Sequence, residues 1–350
     1  MTEGINPSAV SGWLLANVEG LRPPLEFALI AGGRSNLTYA VTDAAGRRIV
    51  LRRPPISHVL PTAHDMAREY RILSALRDTP VPVPAALGYC ADEAVTGRPF
   101  YVMDFVDGYV LRGPAEAAAA LDEATRMTAG RDLVDVLVAI HQLDVDAIGL
   151  GDLARRDGYI ERQLRRWHRQ FGQSQQQARE VGVYRPVPLV DTVHDMLADR
   201  LPAQQGTALV HGDYRLDNTI VSAEGRVRAV LDWELCTLGD ALADVGTLMA
   251  YWGGGPGTGA ASDPLRLTVT ALPGFPSRAD AAQRYAARSG RDLTNMGFYV
   301  AFAQWKLACI GEGVFVRYAA NAMGTGGSDA AVLGRSVEDR ARQALASLSA

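Results

Sequence analysis

The spacing of apolar positions changes once along the chain. Up to about residue 107 they come in short runs. Residues 27–30 and 37–42 flank the turn Ala31-Gly32-Gly33-Arg34-Ser35-Asn36, and residues 48–52 follow a second turn at Ala44-Ala45-Gly46. Such runs between turn residues predict strands. Pro54-Pro55 stops the third. Residues 64–77 place Met66, Tyr70, Leu73 and Leu76 near one face at helical spacing. Val81-Pro82-Val83-Pro84 is an extended connection, residues 99–105 form a strongly apolar strand, and Val106-Asp107-Gly108 is a turn. The expected N-terminal unit is a small, mostly antiparallel sheet with one helix.

From about Gly113 the period becomes helical. Leu133, Val136, Leu137 and Ile140 make one stripe, and Ile160, Leu164 and Trp167 another, within 158–180. Residues 191–201 and 298–320 also read as helices, the latter with Phe298, Phe302, Trp305 and Cys309 on one face. A β patch interrupts them at 209–210, 219–221 and 227–231. The Gly- and Pro-rich stretch 253–276 reads as a loop. A boundary near Asp107 divides the chain into 1–107 and 108–350, both contributing to one cleft.

Composition narrows the class. At 350 residues, 48% hydrophobic and 21% charged, the chain fits a soluble globular protein of about two domains. A net charge of −4 offers nucleic acid no basic surface. No apolar run approaches the roughly 20 residues that span a membrane. The start, MTEGINPSAV, lacks a signal-peptide pattern. Cys90, Cys236 and Cys309 are far apart and suit a reducing compartment, so the expected location is the cytoplasm. Lysine is almost absent: of 35 basic residues only Lys306 is one, which removes any lysine-dependent mechanism from the first 300 residues.

The chemistry concentrates in His211-Gly212-Asp213-Tyr214-Arg215-Leu216-Asp217-Asn218, with Asp232 fourteen residues after Asn218. Phosphoryl transfer needs positioning and neutralisation of charge more than covalent chemistry. Asp213 is placed to orient a hydroxyl and accept its proton. Asn218 and Asp232, brought together by a hairpin, suit a hard cation such as Mg²⁺. A metal-dependent hydrolase would want further histidines, and His58, His64, His141, His168 and His194 show no ligand spacing. Asp240 reads as a helix N-cap, with Asp240 or Asp244 alternatively bracing the catalytic loop. His141 reads as a core histidine and Arg162–Arg169 as a solvated helix face. Trp305, Lys306, Glu312, Arg317 and Tyr318 share a helix that could line an acceptor pocket.

These motifs resemble the aminoglycoside phosphotransferase/choline kinase superfamily, small-molecule kinases with a protein-kinase-like fold. Gly32-Gly33-Arg34-Ser35-Asn36-Leu37-Thr38-Tyr39, Val50-Leu51-Arg52-Arg53-Pro54-Pro55 and Arg68-Glu69-Tyr70 are similar to a subfamily found fused to acyl-CoA dehydrogenases. The resemblance spans about residues 25–325. It implies a two-lobed α+β fold binding ATP and Mg²⁺. Gly32, Gly33, Ser35 and Asn36 would cover the phosphates, although a plain β-turn explains that stretch too. Arg52 would replace the usual phosphate-gripping lysine, paired with Glu69, while Arg53 faces the other side of the strand. Asp104 and Val106 would meet the adenine through their backbone, and His211 and Gly212 would shape the catalytic loop around Asp213. The implied partner is a small hydroxylated molecule, a hydroxyacyl thioester or other metabolite rather than an aminoglycoside. A non-catalytic nucleotide-binding protein is the alternative, because Arg52 stands where a lysine is usual.

Overall fold

In the computed structural model, residues 4–32, 36–55, 65–253, 269–320 and 327–349 are described. Five strands, β1 (Glu26–Gly32), β2 (Leu37–Thr42), β3 (Arg48–Arg53), β4 (Ala86–Cys90) and β5 (Phe100–Asp104), form one sheet in the order β1-β2-β3-β5-β4. Every neighbouring pair is antiparallel. Side chains alternate across a strand, and the burial follows. Ile49, Leu51, Phe100 and Val102 pack on one face against α1 (Pro7–Asn17), through Val10 and Leu14. Val50, Tyr101 and Met103 face the opposite way, towards α2 (Met66–Leu76) and the helical lobe.

The sheet lobe is richer in helix than the expected sheet with one helix. Besides α2 it carries α1 and the short α3 (Glu93–Thr96). Asn6 caps α1, its side chain accepting from the Ser8 and Ala9 N–H groups, and Pro7 occupies the first turn. Only Val10 and Leu14 of α1 are fully covered, so its apolar stripe is two residues long and its periodicity faint. Strand β4 was also not expected. Four of its five residues are half-buried, which removes the alternation that marks a strand. Helix α2 begins at Met66, capped by Asp65, whose carboxylate accepts from the Arg68 N–H at 3.0 Å.

The second lobe is mainly helical. It contains α4 (Pro114–Ala120), α5 (Glu123–His141), α6 (Tyr159–Glu180), α7 (Pro188–Asp199), α8 (Ala241–Tyr251), α9 (Arg278–Ser289), α10 (Met296–Ala319) and α11 (Gly327–Ser349). Two small antiparallel pairs lie among them, β6 (Ala208–Val210) with β9 (Thr237–Gly239), and β7 (Thr219–Val221) with β8 (Val227–Val230). Trp305 of α10 is fully buried and donates its indole N–H to the Val190 carbonyl at 2.9 Å. Arg165, Arg166 and Arg169 lie on the exposed side of α6, the solvated face expected of that cluster. Of the stretch read as a loop at 253–276, residues 254–268 lie outside the described ones. No helix among the described residues is long and apolar enough to cross a membrane. All three cysteines are free and buried.

Arg68 joins the lobes. It leaves α2 and donates to the carbonyls of Leu153 and Cys236 at 3.1 and 3.0 Å, so the helix carrying Glu69 is hydrogen-bonded to the lobe carrying Asp213. Because the fully buried Leu14 of α1 packs on the sheet, Leu14→Ala should destabilise the protein by about 2–4 kcal/mol. Urea unfolding measures this, and a loss below about 0.5 kcal/mol would show that α1 is dispensable to the sheet.

Candidate active site

Strand parity places the first half of the site. Arg52 and Tyr101 are direct cross-strand partners of β3 and β5, so both point to the cleft side. Each reaches Glu69 of α2, which is 1% exposed. The Tyr101 hydroxyl donates to Glu69 Oε2 at 3.0 Å, and Arg52 Nε lies 3.1 Å from the same oxygen without hydrogen-bond alignment. Arg52 Nη2 donates to Asp232 Oδ1 at 2.5 Å and lies 3.9 Å from Glu234 Oε2. Burial opposes the Arg52 charge, but Glu69 and then Asp232 and Glu234 outweigh it and raise its basicity further. Arg53, on the opposite parity, donates to the Pro54 and Thr96 carbonyls at 3.1 and 3.3 Å. Gly32 closes β1 opposite Leu37; Gly33 and Ser35 lie outside the described residues. Asn36 is buried, and its amide donates to Glu69 and Glu234 at 3.4 and 3.3 Å, which commits that side chain to the same carboxylates.

The loop of residues 211–218 follows β6 and is held from below by Asp244 of α8. The fully buried Asp244 carboxylate accepts from the His211 and Gly212 N–H groups at 2.6 and 2.8 Å. Burial works against its ionisation. His141 and these loop donors more than compensate and hold its carboxyl below the usual range. His141 is itself buried, 2.8 Å from the Tyr285 hydroxyl through Nδ1 and 3.4 Å from Asp244 through Nε2. Asp240 is the N-cap of α8, accepting from the Leu242 N–H and from the Tyr299 hydroxyl at 2.7 Å. Bracing of the loop therefore falls to Asp244.

Gly212 has φ +87°, and a Cβ there would meet the Leu235 Cβ and carbonyl at 2.8 Å, so only glycine fits. The His211 ring is wholly buried and lines neither cavity described below. Its Nε2 lies 2.9 Å from the Leu231 carbonyl, and its Nδ1 accepts from the Asp213 N–H at 3.3 Å, so both ring nitrogens are committed to the loop and its neighbour. Asp213 is half-buried. Its Oδ2 accepts from Asn218 Nδ2 at 2.9 Å and from Arg215 Nε at 3.2 Å.

Leu231 pairs back to Asn218, N–H to carbonyl at 2.8 Å, which sets Asp232 beside Asn218. Asp232 has φ +64°, the left-handed region that a residue with a side chain rarely occupies. It is the one such non-glycine residue among those described. Two cavities border this region. One, of about 470 Å³, lies between the lobes and is lined by Arg52, Met103–Val106, Asn218 and Asp232. The other, of about 410 Å³, opens onto Asp213, Lys306 and the apolar flank of α10. Both volumes are in the range of small-ligand sites, and Asp217 lines both.

Residues 26–288 match the phosphotransferase enzyme family. The chain belongs to that family. It is 35% identical over 297 residues to acyl-CoA dehydrogenase family member 10 of Mus musculus, covering 84% of this chain but 27% of that relative's length. The crystal structure of a Ralstonia eutropha protein assigned to the aminoglycoside phosphotransferases superposes with a TM-score of 0.79 at 31% identity. It covers 99% of this chain and 98% of that one. An amicoumacin kinase bound to AMP-PNP and Ca²⁺ shares the fold at 15% identity, with a TM-score of 0.58 over 96% and 94% of the two chains. The two-lobed α+β, protein-kinase-like fold is thereby established.

Several residues of this phosphotransferase's site carry no motif of their own. Tyr101 was read only as part of an apolar strand. Its pairing with Arg52 needs the register between β3 and β5, which no local pattern encodes. Glu234 lies two residues past Asp232, and adjacency to that carboxylate was the available signal. Arg215 bridges Asp213 and Asp217, its Nη1 3.0 Å from Asp217 Oδ2. Glu312, by contrast, sits in the core, accepting from Gln175 and Arg185 at 2.7 Å each.

Burial, together with the negative charge of Asp232, pushes the Glu234 carboxyl up to about 7, with Arg52 opposing. A proton on Glu234 therefore favours the folded form. That contribution is complete below the ordinary value of 4.5 and is lost as pH rises through about 7. Glu234→Gln should raise stability by about 1–2 kcal/mol at about pH 8 and leave it unchanged at about pH 4. Chemical denaturation at the two pH values reads the difference, and an equal effect at both would contradict it.

Proposed function

We propose that this phosphotransferase moves the γ-phosphoryl group of ATP to the hydroxyl of a small molecule. The observation that carries this reading is that Asn218 and Asp232 line the inter-lobe cavity, Asp213 lines the other, and the Asn218 amide donates to the Asp213 carboxylate at 2.9 Å. In the inter-lobe cavity, the backbone of Asp104 and Val106 would meet the adenine, and the guanidinium of Arg52 would hold phosphate oxygens. Gly32, at the end of β1, would approach the phosphates. The amicoumacin kinase bound to AMP-PNP supports a nucleotide as the occupant.

Asn218 and Asp232 fit a hard divalent cation by their donor chemistry. Asn218 spends its amide nitrogen on Asp213, which leaves its oxygen for a metal, and Asp232 supplies a carboxylate at the cavity wall. Two protein ligands completed by phosphate oxygens are usual for Mg²⁺, and no group of three or more His, Cys, Asp or Glu able to hold a metal occurs among the described residues. Bound there, Mg²⁺ would neutralise charge on the transferring phosphoryl group. Asp213 accepts the proton of the attacking hydroxyl as its oxygen bonds to phosphorus and the bond to ADP breaks. Glu69 and Tyr101 keep Arg52 oriented.

The acceptor cavity supports an amphipathic alcohol. Leu307, Ile310 and Val314 give it an apolar wall, and Arg215, Lys306 and Arg340 set positive charge against Asp213, Asp217 and Glu234. A hydroxyacyl thioester or similar metabolite suits this better than a polycationic aminoglycoside. A panel of hydroxyacyl-CoAs, choline and aminoglycosides, followed by ADP formation, tests the assignment. Turnover confined to the aminoglycosides would reverse it. A non-catalytic nucleotide binder is the second reading, favoured by the contact of Arg52 with Asp232; ADP formation with any member of the panel excludes it.

Asp213→Asn should lower turnover by about 10³-fold or more while leaving nucleotide affinity within about twofold. Loss of both together, by calorimetry and ADP release, would remove Asp213 from the role of base. Arg52→Ala should weaken nucleotide binding by about tenfold or more, and Arg52→Lys by less, because charge is kept. Unchanged binding in Arg52→Ala would end the phosphate-grip assignment.

A further inference from the structure

We propose that Lys306, on α10, is a positioning residue for the catalytic loop, holding the Gly212 carbonyl so that the next residue, Asp213, faces the acceptor. The proposal rests on the reading of Asp213 as the base.

The geometry is a clamp on one dipeptide. Asp244 takes the His211 and Gly212 N–H groups from the α8 side. Lys306 takes the Gly212 carbonyl from the α10 side, its Nζ donating at 2.6 Å. The plane of the Gly212–Asp213 peptide is thereby fixed at its oxygen, and that plane sets the direction in which Asp213 leaves the chain. Leu235 fills the space where any side chain on residue 212 would go, so the loop cannot settle by shifting that way.

The cost of this lysine argues for a specific role. Lys306 is 7% exposed, and burial lowers its affinity for the proton, with Asp213 and Asp244 opposing that effect. No carboxylate lies within ion-pair distance of it among the described residues; its close partners are a carbonyl and the Trp167 ring, 5.5 Å from Nζ to the centroid. An ammonium placed so is expensive, and an apolar side chain would pack there more cheaply.

Composition sharpens the point. Every other basic residue of the chain is arginine. A guanidinium is planar and forked, matched to paired acceptors, whereas an ammonium is a compact point charge. A single buried carbonyl acceptor suits the compact group better than the fork.

The test compares full-length wild type, Lys306→Met, and Lys306→Cys before and after alkylation with bromoethylamine, which rebuilds an ammonium at nearly the original length. Hydrogen exchange is followed by mass spectrometry across the chain, and ADP formation is followed in the presence of Mg-ATP and the hydroxylated panel. In Lys306→Met, exchange across residues 211–218 should rise by about tenfold, with α5 and α9 unchanged. Turnover should fall by about tenfold or more with the KM for ATP within about twofold. Aminoethylation of Lys306→Cys should restore both. Wild-type exchange in the loop of Lys306→Met, a rise spread evenly over the whole protein, or no recovery on aminoethylation would each overturn the proposal. Absence of ADP formation by the wild type would fail the kinase reading instead, and the exchange data would still decide the clamp.

Discussion

A buried guanidinium stands where three structural units converge. Arg52 comes from the sheet, Glu69 from α2, and Asp232 from the end of the β7–β8 hairpin. A buried charge is tolerable only when its neighbours compensate it. The positions of all three units are therefore coupled: moving any one strands a charge in a poorly solvated cleft. Tyr101 and Asn36 add hydrogen bonds to the same carboxylates, and Arg68 ties α2 to the helical lobe through two backbone carbonyls. The relation between the lobes is thus set by directed polar contacts as well as by apolar packing.

Below this junction the catalytic loop is built on a different principle. Besides the side-chain contacts of His211 and Asn218, its backbone is gripped. Asp244 collects two N–H groups, and Gly212 turns through a conformation closed to other residues. Strain appears one step further on, where Asp232 adopts a left-handed backbone. Such strain persists only when the surroundings over-determine it. The Leu231–Asn218 hydrogen bond and the contact of Asp232 with Arg52 are the surroundings that do so here.

Much of this was legible in the residues, for reasons that differ by element. The catalytic block and the residues of β5, β7 and β8 could be read because they combine apolar runs with polar groups at fixed offsets. Strand parity separated Arg52 from Arg53 correctly, since that inference needs only the two-residue repeat. The core role of His141 and the burial of Trp305 followed from helical spacing. What escaped depends on partners far along the chain. Helix α1 buries two side chains and so leaves almost no periodic trace. Strand β4 is half-covered on both faces. The pairing of Tyr101 with Glu69, the choice of Asp244 over Asp240 as the brace, and the reach of Lys306 to Gly212 all link segments that are dozens of residues apart or more. Hydrophobic patterning carries no record of such links.

An arginine at position 52, where the family resemblance implies a lysine, would also change what chemistry can be done to the cleft from outside. Amine-directed nucleotide reagents, such as acyl phosphates of ATP, mark kinases by acylating a lysine beside the phosphates. A protonated guanidinium is a poor nucleophile, and Arg52 is held still more firmly protonated than a free arginine. The chain's single primary side-chain amine, on Lys306, lines the other cavity. Lysine-directed reagents of that kind would therefore pass over a nucleotide site in the inter-lobe cavity.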